Sequence, residues 1–177
     1  MPILEIPFLQ SLLEIPAVSR TRRNHGLEHA SLHILAKKFP QSNIAGHSDP
    51  NGFWLVGDIP TENVAEAVQE ALKRLLAGEH HLAVHPNCGT NLITAGTLAG
   101  LAGALGMWGA GPRKRDKLDR FPLVATLATL ALMIAQPLGM NLQKHITTSG
   151  VPGILAVTKI TPTKRGRLAA HRVLTRG

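Results

Sequence analysis

Two long stretches of this chain carry no Lys, Arg, Asp or Glu, one between His81 and Arg113 and the other from Phe121 to Gln143. Soluble domains seldom set two such runs side by side. Residues 90–111 and 121–142 are each long enough to cross a bilayer as a helix. The segment between them, GPRKRDKLDR, is short, so the expected result is a transmembrane helical hairpin over residues 90–142. The competing reading is a buried core hairpin of a soluble protein. It is the weaker one, because an uncharged stretch of this length is the standard membrane criterion. Gly96, Gly100 and Gly103 recur at spacings of three and four, which lets two helix backbones approach closely. The second helix is the nearest partner for that face, and a homo-oligomer is the other use for it.

The flanking segments are polar enough to fold outside a membrane. Residues 1–19 hold apolar residues at near-helical spacing broken by Pro7 and Pro16, and they read as a short amphipathic helix. A spanning helix is not expected there, because Glu5 and Glu14 would be costly in hydrocarbon. Residues 24–39 read as a helix capped by Asn24 or Thr21 and stopped by Pro40. Residues 44–59 read as a β-hairpin turning at Asp49-Pro50-Asn51-Gly52. A helix capped by Thr61 follows through Leu76, and Leu82–Val84 reads as a short strand. Residues 154–162 and 166–174 alternate as two strands around Thr163-Lys164-Arg165-Gly166. These strands are expected to pair back to the first hairpin. The fold class is therefore α+β: a small domain (residues 20–89) completed by a C-terminal β tail (residues 143–177) and interrupted by the membrane insert.

The net charge is +8, with 3% aromatic residues. Nucleic acid is not the expected partner, because the basic residues are scattered and aromatic side chains for base stacking are missing. Anionic lipid headgroups account for the same charges. One cysteine rules out an internal disulfide. No secretory signal is visible. The expected location is the cell membrane, as a multi-pass protein with two spans. The basic connecting loop favours that loop on the cytoplasmic side. The basic tail and the lack of an export signal favour a cytoplasmic domain instead.

The chemistry is concentrated in His25-Gly26-Leu27-Glu28-His29 and His85-Pro86-Asn87-Cys88. Two histidines four apart on a helix point to one side, and a glutamate at i+3 joins them. This HxxEH pattern is the reverse of HExxH. It sets two imidazoles on zinc and one carboxylate beside them. His25 and His29 are then ligands. Glu28 is the general base that takes the proton of water attacking a carbonyl. His85 and Cys88 are three apart, and a tight turn can fold both onto the same metal. N and S donors suit zinc, and His25, His29, His85 and Cys88 would complete a tetrahedral site. Four protein ligands make a structural site, whereas three leave a place open for catalysis. His33 lies one turn further along the same face as a spare ligand or a core histidine. His47, His80, His81, His145 and His171 lack partners at useful spacing.

The motifs HGLEHA, GFWLVGD and HPNCGTN, with the tail ITTSGVPGILAVTKI, resemble an uncharacterised bacterial membrane-protein family of cyanobacterial and chloroflexi type, a domain of unknown function. The resemblance covers roughly residues 20 to 174. A broader uncharacterised membrane family carries a similar HGxEHK helix and HPxCGT element. The resemblance implies a membrane protein and supplies no activity. Known reversed-motif proteases usually take a downstream carboxylate as third ligand, and this chain offers His or Cys there.

Two functions follow from the residues. One is a membrane-surface zinc hydrolase acting on a peptide or lipid-linked bond. The other is a non-enzymatic membrane scaffold or assembly protein whose metal site is structural. Haem or redox chemistry through His and Cys88 is a third and weaker idea.

Overall fold

The computed structural model describes residues 7–177, so the part of the N-terminal segment before Pro7 lies outside the described residues. The described chain divides into two compact units, residues 7–85 with 144–177, and residues 86–143.

In the first unit, Pro7 and Pro16 open helices, although the sequence reading takes them as breaks. α1 spans Pro7–Glu14 and α2 spans Pro16–Lys38. Proline suits the first helical position, where its missing N–H has no intrahelical acceptor and its φ is already helical. α2 therefore starts eight residues before the expected Asn24. Neither Asn24 nor Thr21 is a cap. Asn24 is fully buried inside the helix, where its side chain donates to Asp49 O (2.8 Å) and accepts from Thr175 Oγ1 (2.7 Å).

The expected hairpin forms as β1 (Ala45–Asp49) and β2 (Gly52–Val56). α3 spans Thr61–Leu76, with Pro60 as its N-cap in place of the expected Thr61. Leu82–Val84 does not form a strand. Residues His80–Ala83 are a 3-10 turn. Three residues are too few to pair when no free strand edge lies alongside, and the turn lets the backbone carbonyls of Ala83 and Val84 face α2. β3 (Ala156–Arg165) and β4 (Leu168–Arg176) complete one antiparallel sheet of order β1-β2-β4-β3. The tail strands thus pair back to the hairpin, as expected. The turn between them sits at Gly166, whose φ of 60° favours glycine.

The sheet register separates its faces by the strand period of two. Phe53 is opposite Val173, and Leu55 is opposite His171. This row joins Leu27, Ala30 and Leu35 of α2 and Val64, Val68, Ala71 and Leu75 of α3 in one buried core. Those α3 positions recur at three and four residues, the spacing that gives a helix one apolar face.

His171 is buried in this layer with Nε2 3.0 Å from Thr61 Oγ1. Burial holds its pKa below the usual 6.5. The unfolded chain then binds that proton more readily than the folded one. Stability is complete above about pH 6.5 and falls as pH drops through the window below it. The expected result is that His171→Gln flattens the decline in melting temperature between pH 7.5 and 5.5, with the parent protein under the same conditions as reference.

In the second unit, α4 (Gly89–Gly106) and α6 (Phe121–Leu142) run antiparallel, joined through the short α5 (Lys114–Asp119). The expected two-span hairpin is not what this pair forms. Among the described residues, one helix is long and apolar enough to cross a membrane, running from Lys114 to Thr147 through α5 and α6. α4 stops after 18 residues. At 1.5 Å per residue that is about 27 Å, short of a hydrocarbon core of about 30 Å. Asn91, three threonines and five glycines also dilute its apolar character.

Of the expected glycines only Gly103 faces the second helix, where a Cβ would lie 3.8 Å from Val124 Cγ1, and the closest approach lies elsewhere. A Cβ on Gly96 or Gly100 would meet nothing within 4 Å, whereas one on Gly106 would lie 2.9 Å from Val124 Cγ2 and one on Gly139 3.1 Å from Asn91 Cα. The seam is closed at one end by polar bonds, from Gln143 Nε2 to Asn91 Oδ1 (2.7 Å) and from Asn91 Nδ2 to Pro86 O (2.7 Å). Leu130, Met133 and Ile134 of α6 are exposed to the surroundings.

Candidate metal centre

α2 carries His25, His29 and His33 at i, i+4 and i+8, so the three imidazoles rise along one side of the helix. The His25 and His29 ring centroids are 4.3 Å apart. His85, at the end of the segment that follows the 3-10 turn, brings its ring 5.7 Å from His29 and 4.7 Å from His33. Three histidines of α2 and one from some fifty residues further along the chain thus form one row within the first unit.

Backbone carbonyls fix the rings. Nδ1 of His25 is 2.9 Å from Thr147 O, and Nδ1 of His29 is 2.8 Å from Ala83 O. A carbonyl has no hydrogen to give, so in each pair the ring nitrogen is the donor. Nδ1 of both rings therefore carries a proton. A ligating histidine is held in just this way, its second nitrogen donating to a carbonyl that sets ring angle and basicity. His33 is held by the other nitrogen, with Nε2 2.9 Å from Val84 O. Its ring does not repeat the pattern of its neighbours. Burial, with the charge of His33 second, keeps the pKa of His85 below the usual value. His85 is neutral at pH 7, the form that ligates.

The supports come from chain segments that α2 itself grips. Arg22 donates to Ile146 O (2.6 Å), His145 O (3.0 Å) and Thr148 O (3.3 Å), and Ser149 N donates to Arg22 O (2.9 Å). This holds Thr147 against His25. The approach is close at Gly26, where a Cβ would overlap the carbonyl oxygen of Ser149. Glycine in a helix interior costs about 1 kcal/mol against alanine. Here that cost allows a backbone segment to lie on the helix beside the histidines.

Glu28 faces another way. It is buried, and Oε2 accepts a hydrogen bond from Ser48 Oγ of β1. A Cβ on Gly46 would overlap Glu28 Oε1, so the glycine in the middle of β1 marks the place where the carboxylate comes up against the strand. The HxxEH motif therefore sends its histidines towards His85 and its glutamate into β1. Cys88 offers a sulfur donor, a type that suits the same metals as the imidazoles. Cys88 is buried, is the residue preceding α4, and follows His85 by three positions in the chain. The site residues that sequence reasoning undervalued are His33 and the carbonyl carriers Ala83, Val84 and Thr147. Carbonyl acceptors have no sequence signature, whereas the i+8 spacing of His33 was visible.

Comparison with known proteins gives a consistent placement. A family profile described as a domain of unknown function, DUF6391, matches residues 20–160. An uncharacterised protein of Picosynechococcus sp. (strain ATCC 27264 / PCC 7002 / PR-6) is 34% identical over 168 residues, covering 89% of this chain and 78% of the relative. No solved structure matches.

Proposed function

The chain belongs to the DUF6391 family, and from that premise we propose that it is a membrane-associated zinc protein. His25, His29 and Cys88 hold the ion, and His85 takes the fourth place. The observation that carries this reading is the pair of bonds from Nδ1 to Thr147 O and Ala83 O, which hold both rings in the way ligating histidines are held. Donor chemistry supports zinc, since two or three imidazoles and one thiolate form a borderline-soft N/S set. The apolar helix from Lys114 to Thr147 supports membrane association. In this reading the ion ties α2 to the His85–Cys88 segment and serves assembly, not turnover. The bond from Ser48 to the Glu28 carboxylate favours it, because Glu28 then joins α2 to β1.

A second reading keeps the fourth place open for hydrolysis of a peptide or lipid-linked bond. It is favoured by the reversed HExxH pattern itself, which three ligands and one open position would complete. Zinc would supply Lewis acidity there, and Glu28 would accept a proton from the attacking water. The two readings separate by measurement on the detergent-purified protein. In the assembly reading, His85→Ala loses zinc along with the other ligand variants, and Glu28→Gln lowers the melting temperature without touching any turnover. In the hydrolytic reading His85→Ala keeps zinc, and Glu28→Gln keeps zinc while abolishing hydrolysis of a peptide or lipid-linked substrate. Wild-type protein without metal after zinc addition would refute both.

A further inference from the structure

The second unit contains a cavity of about 380 Å³ lined by Met107, Lys114, Lys117, Leu118, Phe121 and Val124. Lys114, Lys117, Leu118 and Phe121 are spaced i, i+3, i+4 and i+7, so one face of the helix that begins at Lys114 lines it. Val124 continues that face one turn further on, and Met107, just past the end of α4, completes the lining. The lining is almost wholly apolar: the two lysines contribute their aliphatic stems, which leaves each ammonium group at the rim, and the other four side chains are apolar.

The position along the chain matters as much as the lining. The charged residues of this helix end at Arg120, and the uncharged run starts at Phe121. If the helix crosses a bilayer, that border is where headgroups meet hydrocarbon. Exposed Trp108 adjoins Met107 in the chain and is the side-chain type enriched at that level. The acid nearest in sequence to the lysines, Asp116, is turned to the start of α5, where Oδ2 accepts from Arg113 N (3.2 Å). It does not line the cavity.

We propose that this cavity seats one anionic phospholipid, its phosphate at Lys114 and Lys117 and the upper part of an acyl chain against Met107, Leu118, Phe121 and Val124. Charge complementarity selects the headgroup, and the apolar floor selects a lipid over a soluble phosphate. The volume is within the roughly 300–1,000 Å³ range of small-molecule sites. The proposal rests on reading the Lys114–Thr147 helix as membrane-associated, and is independent of the metal.

The test is lipid retention by the full chain purified in detergent, challenged with an equimolar mixture of phosphatidylglycerol and phosphatidylcholine and read by native mass spectrometry. The expected result is a phosphatidylglycerol excess of about 10- to 30-fold, the contribution of two cations near a headgroup. Lys114→Gln with Lys117→Gln should bring the ratio close to one while circular dichroism stays unchanged, since both lysines are on the surface. Met107→Trp, which fills the cavity, should reduce retention of both lipids. Equal retention by the wild-type chain overturns the proposal, as does an excess that persists in the double variant. Displacement of phosphatidylglycerol by millimolar inorganic phosphate would overturn the lipid assignment in favour of a soluble phosphate. Fractionation of lysed cells tests the premise separately. A chain found in the soluble fraction refutes membrane association, whereas a membrane-bound chain without lipid preference refutes only this site.

Discussion

His29→Ala is expected to abolish zinc retention, taking metal content from about one ion per chain to near zero after dialysis. Structural zinc is worth about 10–16 kcal/mol, spread over three or four ligands. Loss of one ligand therefore costs about 3 kcal/mol, or roughly a hundredfold in affinity. His29 is the most buried of the histidines in the row, and its ring is held by Ala83 O. Its removal also opens a cavity in the layer between α2 and the 3-10 turn. Apoprotein and variant should therefore differ: stripping the wild type lowers the melting temperature, and the variant melts lower than the stripped wild type. An inductively coupled plasma measurement of zinc beside a melting curve reads both effects. Full zinc occupancy in the variant would show that the histidine pair is a hydrogen-bonded pair and no ligand set.

Gly26→Ala should be destabilising by about 2–4 kcal/mol, the opposite of what helix propensity dictates. In a free helix this change gains about 1 kcal/mol. Here the new Cβ lands on the carbonyl oxygen of Ser149 and lies 3.2 Å from Ala83 Cβ. The segment must lift away, and with it go the bonds from Ser149 N to Arg22 O and from His25 to Thr147 O. Loss of a supporting carbonyl typically costs 10- to 100-fold in metal affinity. A lowered melting temperature together with weakened zinc retention is therefore expected. Gly96→Ala is the matched control, because its Cβ meets nothing within 4 Å. It should be neutral or stabilise the helix by up to about 1 kcal/mol. A stabilised Gly26→Ala protein would show that the 147–150 segment does not rest on α2.

Much of the fold was legible because it follows from short-range rules. The β-prone run from Phe53 to Val56 and the alternation around Val173 marked strands, and Asp49-Pro50-Asn51-Gly52 marked the turn between β1 and β2. The spacing from Val64 to Leu75 gave α3. Errors came where a local signal has two meanings. Pro16 reads as a break or as a first helical residue, and only the burial of Asn24 shows that the helix already runs through it. Gly96, Gly100 and Gly103 read as a contact face, but only Gly103 meets α6, and the closest approaches are at Gly106 and at Gly139 of α6, which spacing alone does not specify. An uncharged run reads as a span, yet α4 is too short and too rich in Gly and Thr to pass the test that α6 passes.

The candidate site divides in the same way. Sequence alone determined the donor types, the shared face of His25 and His29, and the tether between His85 and Cys88, because helix period and chain connectivity are local properties. Only the tertiary structure decided which nitrogen of each imidazole holds the proton, since that depends on carbonyls contributed by residues 83 and 147. It also decided that Glu28 turns to Ser48 under Gly46, because residues three and four apart on a helix share a face only broadly, and which neighbour each meets is set by what packs against them.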